Sequence, residues 1–155
     1  MIIIGVDPGK ASGLAVLETS SMTIEHMSIA YSNCEGLAQQ VTLLGYDYRS
    51  AGVDAPVVCE NFIPRFGQKF DLDSVYHIGA LQAVIGTTTV HLVLPATHKG
   101  LVPKEKLTAL MKSQGYKVGA GHSRDALSVA VYYSAFVLRE PKVLEFLADN
   151  NQEEN

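Results

Sequence analysis

"IIIGVDPGKASGLAVLE", residues 2–18, holds the reading that decides the fold. Ile2, Ile3, Ile4, Gly5 and Val6 lead without polar alternation to Asp7; a Pro8-Gly9 turn follows, and Ser12–Glu18 is a second apolar stretch. A run with no polar face predicts a central strand covered on both sides. Residues 22–31 read as a third strand, joined to the second by the short polar turn at residues 19–21, which predicts an antiparallel meander. A carboxylate ending such a strand costs several kcal/mol unless something compensates it.

Working outward, "SNCEGLAQQVTLLGYDYRSAG" (32–52) predicts a helix capped by Asn33, with Leu37, Val41 and Leu44 on one face. "PVVCEN" (56–61) is a short buried strand, "NFIPRFGQKFDLD" (61–73) an irregular loop, and Ser74–Ile85 a helix. Val90–Leu94 is a fifth strand. "PATHKGLVPKEK" (95–106) reads as a loop running into a helix over Lys104–Ser113, with Pro103 before its first turn and Gly115 as terminator. "KVGAGHS" (117–123) is a hinge, and a last helix opens at His122 or Ser123 and runs to about Leu138. The order β-β-β-α-β-α-β-α-α predicts an α/β fold: a mixed five-stranded sheet, three strands antiparallel and the rest in parallel βα units, flanked by helices.

The 155 residues suit one domain over 1–140, followed by an acidic, flexible tail over 141–155. Hydrophobic content of 47% with 18% charged residues fits a globular protein, and no apolar run is long enough to span a bilayer. No basic stretch precedes Ile2, so no signal peptide is expected, and Cys34 and Cys59 lack metal-type spacing. A cytoplasmic protein is expected, whether cellular or phage-encoded and acting in a host cytoplasm. The net charge is −4, yet residues 61–124 carry eight Lys and Arg against three Asp and Glu. From Glu140 onward, five acids stand against one base. The middle of the chain is therefore basic, as a polyanion-binding surface requires.

Three polar sites interrupt apolar elements. Asp7 closes the first strand, Glu60 closes the fourth, and His122 and Asp125 stand three apart at the head of the apolar helix "GHSRDALSVAVYYSAF". Residues three apart share a helix face. Singly, each has an ordinary explanation: Asp-Pro-Gly is a common turn, a strand-end Glu can face water, Asp complements a helix N-terminus, and His is a common cap. Jointly, two strand-end acids and an H-x-x-D on a late helix point to a shared divalent cation. Oxygen-rich sites favour Mg²⁺ or Mn²⁺, and two such ions about 4 Å apart can clamp a phosphodiester.

"GVDPGKASGLAVLE", "VVCENF", "HIGALQAVI" and "GHSRDALSVAVYY" together resemble the motifs of the RuvC-type Holliday-junction resolvases of the RNase H-like superfamily, over Ile2 to about Val137. The family is usually basic overall, which this chain is not. The resemblance implies an RNase H-like sheet and a catalytic, metal-binding set of Asp7, Glu60, His122 and Asp125. It further implies Mg²⁺ or Mn²⁺, two ions per site, and hydrolytic nicking of four-way and other branched DNA by a crossover junction endodeoxyribonuclease with no small-molecule cofactor. Alternatives are a related nuclease of broader DNA or RNA/DNA-hybrid specificity, and a non-catalytic DNA-binding scaffold. An actin- or sugar-kinase-like protein also opens on Asp-x-Gly and a hairpin, but needs a longer chain.

The expected DNA-facing residues follow Glu60. Phe62, Arg65, Phe66 and Lys69 alternate aromatic and basic character, suited to phosphate contact and to stacking on an unpaired base, although such aromatics also anchor loops to a core. Lys99, Lys104, Lys106 and Arg124 complete the set. A four-way junction is nearly two-fold symmetric and paired nicks need two sites, so a homodimer is expected. Its candidate interface is the helix Ser74–Ile85, unless that helix simply packs on the sheet.

Overall fold

The computed structural model of the chain describes residues 1–30, 33–62, 72–87, 89–117 and 121–149. A five-stranded sheet is formed by β1 (Ile2–Asp7), β2 (Ser12–Glu18), β3 (Thr23–Ala30), β4 (Val57–Glu60) and β5 (Val90–Val93). Its order is β3-β2-β1-β4-β5. The first three strands pair antiparallel, and β4 and β5 add in parallel. This is the mixed sheet expected from the meander followed by βα units.

The helices are α1 (Cys34–Ser50), α2 (Leu72–Ile85), α3 (Pro95–Leu101), α4 (Lys104–Ser113), α5 (Gly121–Tyr132) and α6 (Pro141–Ala148), with a π-helical turn at Tyr133–Val137 continuing α5. Asn33 caps α1 as its composition predicts: the side chain accepts a hydrogen bond from the Gly36 amide at 2.9 Å. The helix runs on through Gly45, whose carbonyl accepts a hydrogen bond from Arg49 Nε at 3.2 Å.

Both faces of the sheet are covered, which is why β1 reads as an unbroken apolar run. Ile2, Ile4 and Val6 pack with Leu37, Val41, Ile78 and Leu81 of α1 and α2. Ile3 points the other way, into a core with Val58, Ala126, Val129 and Ala130, beneath α5. Each fully buried aliphatic side chain contributes about 1.5–3 kcal/mol.

Two elements depart from the sequence reading. The segment expected as a loop after β5 contains α3, which opens on Pro95 at its first turn and turns His98 fully inward. Seven residues with one buried position carry too little periodicity to announce a helix. The expected tail contains α6: Pro141 starts it, Val143 is fully buried, and Phe146 and Leu147 pack on the α5-side core. Reading this stretch together with the acidic residues that follow it obscured an apolar face at Val143, Phe146 and Leu147. Residues 150–155, the hinge positions 118–120 and the loop 63–71 lie outside the described residues.

Candidate active site

Strand alternation sets the site. Side chains of a strand alternate between faces, so Ile3, Gly5 and Asp7 share the α5 face of β1. On β4, Val58 packs on the α5 side and Val57 and Cys59 on the other, which turns Glu60 toward α5. β1 and β4 run parallel with Val6 opposite Cys59, so Asp7 and Glu60 end adjacent strands one step further along, on the same face.

The helix carrying the other two residues is brought down by two glycines. A Cβ on Gly13 would collide with the backbone of His122 and Ser123, and one on Gly5 with the carbonyl of Ala126. Gly13 pairs with Asp7 across the β1–β2 ladder. Only hydrogen at these positions lets the first turns of α5 lie against the strands. The same contact suspends His122 and Asp125 over Asp7. Gly9, by contrast, has room for a Cβ, so the fold does not require glycine in that turn. The turn is held by Ser12, whose hydroxyl donates to the Gly9 carbonyl at 2.9 Å.

Asp7 is 8% exposed. Burial, more than anything else, pushes its carboxyl up to about 6; the negative charges of Glu60 and Asp125 add to the rise, and a hydrogen bond from His122 opposes it. That bond joins His122 Nδ1 to Asp7 Oδ2 at 2.8 Å. Glu60 behaves differently. Burial disfavours its charge, but His98 Nε2 at 2.8 Å and Lys99 Nζ at 3.1 Å outweigh burial and hold its pKa below the ordinary value. Lys99 also reaches Asp125 Oδ2 at 3.1 Å, bridging the two carboxylates. Burial works against the Lys99 ammonium, yet Glu60 and Asp125 raise its pKa. Arg124 Nη2 lies 3.8 Å from Asp125 Oδ1.

The donor set of three carboxylates and an imidazole is the chemistry Mg²⁺ or Mn²⁺ takes. Among the described residues, no three His, Cys, Asp or Glu side chains close on a common point as a ligand cluster. Instead the Lys99 ammonium stands between Glu60 and Asp125, and the His122 ring is hydrogen-bonded to Asp7. The residues fit a divalent cation in charge and donor type, with an ammonium already accommodated between two of them.

The expected DNA-facing residues separate. Lys99, Lys104 and Arg124 line one cavity of about 300 Å³ with Asp125, directly beside the carboxylates. Lys106 is directed elsewhere: its ammonium donates to the carbonyls of Phe146, Leu147 and Asp149 at 2.7–3.0 Å, capping the C-terminus of α6. Its ammonium is thus engaged within the protein rather than beside the carboxylates. Phe62 packs partly buried against the α1/α2-side core, the anchoring role weighed against stacking. Arg65, Phe66 and Lys69 lie outside the described residues.

Sequence reasoning missed His98, which lay in the expected loop, and the packing role of Gly5 and Gly13. For the glycines a signal existed: glycine inside an apolar strand often marks close backbone approach. For His98 there was none beyond its position next to Lys99.

The sheet order and the crossing of α5 over it are shared with solved RuvC structures, whose fold this chain has. The chain superimposes on Thermus thermophilus RuvC solved in complex with a Holliday junction substrate with a TM-score of 0.66 at 18% identity, over 86% of this chain and 94% of that one. A second T. thermophilus RuvC structure gives 0.65 at 17% identity, over 86% and 95%. No protein-family model matches the chain, and no curated protein does. No helix among the described residues is long and apolar enough to cross a membrane.

Proposed function

We propose that this chain is a metal-dependent, structure-selective endodeoxyribonuclease that nicks four-way and other branched DNA. The observation that carries the reading is the convergence of Asp7, Glu60 and Asp125, with His122, on one edge of a RuvC-type sheet. Burial, with the charges of Glu60 and Asp125, raises the Asp7 pKa, and Lys99 is recruited between Glu60 and Asp125, a cost that packing alone does not explain. A T. thermophilus protein of this fold has been solved on a Holliday junction.

Asp7, Glu60, His122 and Asp125 would hold Mg²⁺ or Mn²⁺, two ions per site by resemblance. Bound there, the ions supply an activated water and neutralise the phosphodiester under attack. The chain's own groups do the rest. Lys99, Lys104 and Arg124 bind the phosphates flanking the scissile bond from the adjoining cavity. His122, half exposed, is hydrogen-bonded through Nδ1 to Asp7, which orients its ring over the carboxylates. The buried sheet behind Asp7 and Glu60 keeps both carboxylates on a rigid platform.

A homodimer belongs to the same proposal. Its interface is the outer face of α2, where Leu72, Val75, Tyr76 and Val84 are exposed. Ser74, His77, Ile78 and Leu81 form the inner face, so Ile78 belongs to the core. The test is cleavage of end-labelled synthetic four-way junctions, flaps, RNA/DNA hybrids and linear duplex, each with Mg²⁺, Mn²⁺ or EDTA. Metal-dependent nicking that favours the junction supports the proposal. Preferential cutting of hybrids favours the broader nuclease reading, and no cutting of any substrate leaves a binding scaffold.

A further inference from the structure

His98 is fully buried, and both of its ring nitrogens are engaged across the core. Nε2 lies 2.8 Å from Glu60 Oε2 on β4, and Nδ1 lies 2.9 Å from Ser128 Oγ on α5. An ionised carboxylate only accepts hydrogen bonds, so Nε2 carries a hydrogen and donates a hydrogen bond to Glu60. The ring is thus a strut between the strand bearing one acid and the helix bearing another, anchored on α3.

We propose that His98 is a positioning residue: from the core side its hydrogen bond to Oε2 fixes the rotation of the Glu60 carboxylate, whose two oxygens Lys99 Nζ reaches from the other side, Oε1 at 3.2 Å and Oε2 at 3.1 Å. Ser128 fixes the ring in turn. It stands three residues beyond Asp125 on α5, so the strut also ties the spacing of Glu60 to that of Asp125. A carboxylate held only by a side chain with three rotatable bonds would sample several orientations and bind a cation less tightly. Groups that orient a metal ligand through one hydrogen bond are worth ten- to a hundredfold in metal affinity. This inference rests on the nuclease reading only in taking Glu60 as a cation ligand.

The test is Mn²⁺ binding to the full chain without DNA, by calorimetry, in wild type, His98→Gln, His98→Asn and Ser128→Ala. The glutamine amide nitrogen can occupy the place of Nε2 and donate to Glu60; that of asparagine falls short. His98→Gln is expected within about threefold of wild type, His98→Asn at least tenfold weaker, and Ser128→Ala in between. In wild type, ¹⁵N shifts should show a proton on His98 Nε2. Equal affinities for Gln and Asn, whether both native or both weakened, overturn the positioning role, as does a bare Nε2. If His98→Asn does not fold, an unchanged affinity in Ser128→Ala does the same. A chain that shows the Gln–Asn split yet nicks no DNA keeps the strut and sinks the nuclease reading. One that nicks without the split does the reverse, and one that binds no Mn²⁺ overturns both.

Discussion

Asp7 concentrates the conflict between stability and chemistry. Its folded-state pKa, raised to about 6 from 3.8 chiefly by burial, means the folded chain holds that proton more tightly than the unfolded one. Stability therefore falls as pH rises from about 4 to about 6, and above that window the ionised carboxylate costs on the order of 3 kcal/mol. Asp7→Asn should raise the melting temperature in EDTA at pH 7.5, with the gain shrinking as pH is lowered toward 4, and should abolish nicking. A variant that is destabilised at pH 7.5, or that still cleaves, contradicts this. At the head of α5, His122→Asp should retain substantial nicking and shift preference from Mn²⁺ toward Mg²⁺, because nitrogen favours Mn²⁺ more than oxygen does. Asp125→Asn should lose most activity in either metal. A dead but folded His122→Asp would assign His122 a proton-transfer role instead. These four residues were legible because each broke an apolar pattern. His98 was not, since a buried histidine in a short irregular segment looks like any loop residue until its two partners, 38 and 30 residues away, are in place.

Among the elements, α5 matters most, and its seat is glycine. Gly13→Ala forces a methyl into the backbone of His122, so α5 must lift. Overpacking of this kind costs about 1–3 kcal/mol, and here it also withdraws His122 and Asp125 from Asp7. The expected result is a folded chain of lower melting temperature whose nicking falls further than its stability does. Native activity in Gly13→Ala would mean that α5 is not held at this distance. Lys104 and Lys106 make the complementary point, since they lie two apart and serve different ends. Lys106→Met should lower the melting temperature by uncapping α6 and leave junction affinity within about twofold, whereas Lys104→Met should weaken junction binding at unchanged stability. Equal losses of affinity would restore Lys106 to the DNA surface. The strands and α1 were legible from apolar runs and a cap. α3 and α6 were not, because one is too short for periodicity and the other, with three core contacts, runs straight into the acidic C-terminal residues.

At the scale of the molecule, a net charge of −4 hides a local surface: Lys99, Lys104 and Arg124 meet at one cavity beside the acids. The fold was readable because its order is written in sequence, three strands and then βα units, and because a two-sided core demands the uninterrupted run of β1. The joining of the basic residues was not readable, since which face a lysine takes depends on helices that pack from opposite ends of the chain. The central claim is that Asp7, Glu60, His122 and Asp125 form one phosphodiester-cleaving site. It is tested most directly by mapping the strand ends of a synthetic four-way junction after incubation with the chain and Mn²⁺. Paired nicks across the junction, each leaving a 5′-phosphate and a 3′-hydroxyl, are expected with wild type and absent with Asp7→Asn. Intact strands with wild type, or the same nicks from both proteins, would contradict it.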